Sequence, residues 1–147
     1  MSKIVPLISS GTAGPLGVLH LPRLWQKVSL AARGKLADGY KGPGPGYDYM
    51  VIEALGLDKD ALVAFITDSR PSYAQFEAWI ASQPGAKLDA ASVSALNASI
   101  AGYNHTDDVR AGICATAGIP NDSAAPKDAV NLNNLDDWSE FHAAELA

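Results

Sequence analysis

The sequence has a single cysteine, Cys114, so an internal disulfide and a cysteine-based metal cluster are both excluded. No apolar run approaches the roughly 18 residues that a membrane span requires. Residues 1–19 carry only Lys3 as a charge, yet Pro6, Ser9, Ser10, Gly11, Gly14, Pro15 and Gly17 interrupt their apolar positions, and no signal-peptide core forms. The expected location is therefore cytoplasmic, without membrane contact. Period-two alternation of β-branched and aromatic residues is missing, which argues against strands. Also missing are a phosphate-binding glycine loop, a helical zinc-binding histidine pair and a nucleophile elbow. Residues 42–46 mimic a phosphate loop by glycine content, but Pro43 and Pro45 remove two of the amide donors that such a cradle needs.

What is present describes one globular domain over residues 1–147. Apolar residues make up 48% of the chain and charged residues 18%, outside the disordered range. A chain of this length buries roughly two thirds of its unfolded surface, so it needs no metal or disulfide to fold, and no cofactor is expected. The net charge of −5 conceals an asymmetry. Residues 1–47 hold six basic side chains (Lys3, Arg23, Lys27, Arg33, Lys35, Lys41) against Asp38, whereas residues 104–147 hold eight acids against Arg110 and Lys127. These ends are complementary and are expected to lie near each other inside the fold; such a charge balance excludes nucleic acid as a natural partner.

Helical periodicity dominates. Leu21, Leu24, Trp25, Val28 and Ala32 share a spacing that predicts a first helix, with Pro22 in its first turn and an end near Asp38 and Gly39. A Gly/Pro-rich loop follows, then a short helix over 48–55. Asp58 caps the next, with Leu57 and Leu62 at staple positions and Leu62, Phe65 and Ile66 inward. Ser72 and Gln75 form a capping box for a helix carrying Phe76, Trp79 and Ile80. Asp89 caps a fifth with Val93, Leu96, Ile100 and Tyr103 on one face, and Thr106 a sixth with Val109, Ile113 and Ala117. Residues 119–134, dense in Pro, Asn, Asp and Ser, read as a surface loop, and a last helix is expected from Leu135. The fold class is all-α, a compact orthogonal bundle of about six to seven helices, with residues 1–19 as an N-terminal arm.

Arg23 and Lys27 lie one helical turn apart on one side of the first helix, where they repel unless a negative group lies between them. That group is either an internal carboxylate, with Asp48 and Glu53 as candidates, or a ligand anion clamped by Arg23 with Lys27 as a second charge. In the ligand case His20 serves as general acid or base, Asp48 as its orienting carboxylate, and Tyr40 and Tyr47 as substrate-binding walls beside the Gly/Pro loop. Each has a plainer role: His20 in a turn, the tyrosines over core, and Trp25, Trp79 and Trp138 as core anchors. A metal site made of His20, His105 and His142 is not required by their spacing, and none is expected.

The ordered set Gly17-Val18-Leu19-His20-Leu21-Pro22-Arg23, Lys27, Gly34-Lys35-Leu36, Tyr40, Gly46-Tyr47-Asp48 and Leu55-Gly56-Leu57-Asp58 resembles the bacterial domain-of-unknown-function family numbered 5069. The resemblance is densest from Gly17 to Leu62 and thins through Trp79 and Leu135-Asp136-Asp137. It implies a small helical bacterial protein and brings no activity or substrate with it. The family pattern places an arginine soon after the position of Asp48, where this chain has Tyr49, Met50 and Val51, so no ion pair carries over there. It directs attention to His20, Pro22, Arg23, Lys27 and Asp48.

Two functional classes follow. One is a small-molecule binding protein or cofactor-independent enzyme acting on an anionic organic compound, for which Arg23→Ala is expected to abolish binding with little loss of stability. The other is a non-enzymatic interaction module, a homodimer for instance, in which the N-terminal arm or the C-terminal helix with Trp138 and Phe141 packs on a partner.

Overall fold

The computed structural model describes residues 2–147. Seven α-helices are built around one core: α1 (Leu21–Ala32), α2 (Tyr47–Ala54), α3 (Lys59–Ser69), α4 (Tyr73–Ser82), α5 (Ala90–Gly102), α6 (Asp107–Ala117) and α7 (Ala129–Phe141), with a terminal π-helical turn over His142–Leu146. Among the described residues there is no strand, only isolated bridges that pair Ile4 with Leu36, Ala13 with Leu19 and Asn104 with Asp128. Among the described residues, no helix is long and apolar enough to cross a membrane.

α1 is the central element. Its apolar stripe of Leu21, Leu24 and Val28 is buried against α3 and α4, which contribute Leu62, Ile66, Phe76 and Ile80. Val51 and Ile52 of α2, with Leu55 just after it, close the core with Leu96 and Ile100 of α5. α7 packs on α5 and α6. Side-chain caps set several helix starts by supplying oxygen acceptors to amide hydrogens that lack intrahelical partners. Asp58, Asp89 and Thr106 each accept from the third residue on, and Ser72 with Gln75 forms the full reciprocal box.

Several boundaries differ from the sequence reading. α1 ends at Ala32, because Gly34 turns left-handed (φ +67°) and frees residues 35–37 to bond with the backbone of Ile4. α7 starts at Ala129 rather than Leu135, so the loop covers only 119–128: Asp128 accepts from the Asn131 amide, and burial of Ala129 and Leu132 holds an asparagine-laden segment helical. Tyr103 and Val109 are exposed (46% and 44%) rather than inward, and Trp138 is no core anchor, being 59% exposed. The N-terminal arm is tied down. Val5, Ser10 and Val18 are buried, the amide of Ile8 donates to Gln26, and that of Leu16 donates to the buried Glu77.

Candidate functional site

The chemistry of α1 begins one residue before it. His20 occupies the left-handed region at φ 71°, a conformation that costs a non-glycine residue on the order of 1–3 kcal/mol and persists only where the surroundings fix it. They do so here. The His20 side chain is 2% exposed, and both ring nitrogens are engaged: Nδ1 lies 2.9 Å from Ser10 Oγ and Nε2 2.6 Å from Asp48 Oδ1. Burial lowers the pKa of His20 below 6.5, against the upward pull of Asp48, so the ring is neutral at pH 7. A neutral ring has one N–H. With an ionised carboxylate at Nε2, that nitrogen carries the hydrogen and Nδ1 accepts from the Ser10 hydroxyl.

Asp48, in the first turn of α2, collects three donors. Besides His20, Lys27 Nζ donates to Oδ2 at 2.7 Å and the Gly44 amide donates to the same oxygen at 2.8 Å. Burial opposes the charge on Asp48, but the hydrogen bond from His20 and the charge of Lys27 outweigh it, and the carboxyl is held below its ordinary value. The Gly44 bond also fixes the Gly/Pro loop. Gly42 of that loop lies so close to α1 that a Cβ there would strike the backbone carbonyl of Lys27.

Arg23 is used differently. Its guanidinium makes two hydrogen bonds to Asp137 of α7 (2.7 and 3.1 Å) and donates to the carbonyls of Pro6 and Ile8 (3.2 and 3.0 Å). Tyr40 donates its hydroxyl to the same Asp137 at 2.9 Å. Burial, followed by the charge of Asp137, pushes the Tyr40 hydroxyl well above its ordinary pKa, which keeps the proton on it. The internal pairing expected for Lys27 is therefore made by Asp48, whereas Glu53 is exposed and Arg23 is met by Asp137, a partner that sequence reasoning missed. The expected proximity of basic N-terminal and acidic C-terminal residues takes this concrete form.

A half-open cleft of about 470 Å³ lies alongside these pairs. It brings together all six candidates, His20, Arg23, Lys27, Tyr40, Tyr47 and Asp48, and adds Tyr103, His105, Asn133 and Asp136, which sequence reasoning did not assign to a site. Ser10 was also missed, because a serine in a glycine-containing arm carries no signal of its own. Tyr47 turns its hydroxyl onto the carbonyl of Ile100 at 2.6 Å, so it offers the cleft a ring rather than a donor; burial raises its pKa to about 12. The histidines do not converge on a metal: His142 belongs to the exposed terminal turn, His105 bonds Asn133, and no group of three or more His, Cys, Asp or Glu among the described residues is placed to hold an ion.

The arrangement can bind more readily than it can catalyse. His20 would have to release Ser10 or Asp48 before exchanging a proton with a guest, and Arg23 has no open face for a bidentate anion. Lys27 is freer. Its ammonium has three N–H donors, of which one goes to Asp48. No family model matches the chain, and no curated protein matches it.

Proposed function

We propose that the protein binds a small organic acid non-covalently in this cleft, with Lys27 as the charged contact. One observation carries the reading: the Lys27 ammonium spends one hydrogen on Asp48 and borders a cleft large enough for a small metabolite, beside Tyr40, Gly46 and Tyr47. Arg23 acts as scaffold, holding residues 6–8 and α7 so that the cleft keeps its shape. Catalysis by His20 and Asp48 is set below binding because both ring nitrogens are occupied. Kinship with the family numbered 5069 is part of the proposal, supported by the fact that His20, Arg23, Lys27 and Asp48 of its motif all border the cleft.

Thermal unfolding against a panel of mono- and dicarboxylic acids tests the proposal. An acid at about a hundred times its Kd adds about 2.7 kcal/mol, which raises Tm by roughly 5–11 °C in a chain of this size. Lys27→Met is expected to abolish the shift. Equal shifts in wild type and variant, or none with any acid, would overturn the assignment.

A second reading rests on Trp138, whose 59% exposure on α7 is large for an indole. It makes that helix a surface for a second copy. A monomer by small-angle scattering at high concentration removes it. The N-terminal arm no longer motivates a dimer, since it is packed on its own chain.

A further inference from the structure

The cleft has a row of rings and an acid without a partner among the described residues. Centroid separations of 5.4 Å (His20 to Tyr47), 5.8 Å (Tyr47 to Tyr103) and 6.1 Å (Tyr103 to His105) make the four residues a continuous aromatic series, and all four line the cleft. His105 Nε2 meets Asn133 Oδ1 at 2.8 Å, which joins the end of the series to α7. Asp136 stands three residues after Asn133, hence on the same side of α7, and it too lines the cleft.

The charges do not cancel there. Arg23 is matched by Asp137 and Lys27 by Asp48, and among the described residues Asp136 makes neither an ion pair nor a side-chain hydrogen bond. Burial, then the charges of Asp137 and Glu140, push its carboxyl above the usual value, so its ionised form is held at a cost that a cation would relieve. The rings of Tyr103 and Tyr47 line the same cleft, and a cation is attracted to an aromatic face as it is to a carboxylate. Tyr103 is 46% exposed, so its ring is open to a guest.

We infer that the ligand of this cleft carries a basic nitrogen, an amine or a guanidine, received by the Asp136 carboxylate and the Tyr103 ring. This deepens the preceding proposal and rests on it for the acid group at Lys27; together they specify an amino-carboxylate as the preferred class.

Calorimetric titration of the full chain with γ-aminobutyrate and ε-aminocaproate, each beside its deaminated acid and its decarboxylated amine, separates the two claims. An amino-carboxylate is expected to bind about tenfold or more tighter than the matching acid, a margin within reach of one partly desolvated cation contact. Asp136→Asn, a near-isosteric change at a partly buried position, removes that margin without weakening the acid alone. Equal binding of acid and amino-carboxylate, or a margin that survives Asp136→Asn, overturns the inference while leaving the acid at Lys27 intact. Amines that bind and lose affinity in Asp136→Asn, with Lys27→Met inert throughout, support the nitrogen site and remove the acid reading. If no probe of either length binds, both fall.

Discussion

Arg23 and Asp137, 114 positions apart in sequence, are joined by two hydrogen bonds in the interior, one from each terminal nitrogen of the guanidinium. Their side chains are 6% and 3% exposed. This pair fastens the first helix to the last, and the carbonyls of Pro6 and Ile8 bring the N-terminal segment into the same junction.

Removing one member of such a pair leaves an uncompensated buried charge, so Arg23→Ala is expected to cost about 3–5 kcal/mol. Arg23→Lys recovers little of it, because an ammonium does not reproduce the planar two-point contact. Urea unfolding checks both. The expectation from sequence, that Arg23→Ala leaves stability nearly unchanged, presumed a surface residue and is corrected by the burial of this one.

Stability should respond to pH through His20. Its folded pKa lies below the ordinary 6.5, so on acidification the unfolded chain takes up this proton first, and stability falls as the pH drops below about 6.5. Asp48 acts lower down: its folded pKa is depressed, so its contribution is complete above about 3.8 and fades as the pH falls through the folded value. His20→Asn, which keeps a residue tolerant of left-handed backbone, is less stable at neutral pH and loses the slope just below about 6.5. Denaturant midpoints between about pH 5 and 7.5 measure it; an unchanged slope in the variant counts against a neutral buried imidazole.

The Gly/Pro loop owes its position to Gly42. A methyl group there meets the Lys27 carbonyl, which belongs to helix backbone and cannot move aside cheaply. Gly42→Ala is expected to cost about 1–3 kcal/mol and to release the Gly44 amide from Asp48, read as faster hydrogen exchange at Gly44.

Features set by neighbours in sequence were legible without the structure. The caps at Asp58, Ser72, Asp89 and Thr106 each involve residues within one turn, whereas the pairing of Lys27 with Asp48, 21 positions on, was legible only as one of two options. Tertiary choices were not. Asp137 was one of eight acids in the C-terminal segment, and nothing local selected it for Arg23. The start of α7 was hidden because Asn131, Asn133 and Asn134 favour turns, and the packing of Ala129 and Leu132 that overrides them is visible only in three dimensions. Tyr103 followed the helical spacing of its neighbours, yet it lies just beyond the end of α5, and that displacement turns it to the cleft.

The proposed role of the cleft turns on a ligand acid meeting Lys27. Amide shift mapping by NMR during titration with an acid from the thermal panel tests this most directly. Perturbations are expected at Gly39, Tyr40, Gly46 and Tyr47 and at Asn133, Asp136 and Asp137 of α7, all of which line the cleft, and are expected to vanish in Lys27→Met. Perturbations centred instead on Trp25, Ile66 and Arg70, or identical in the variant, would contradict it.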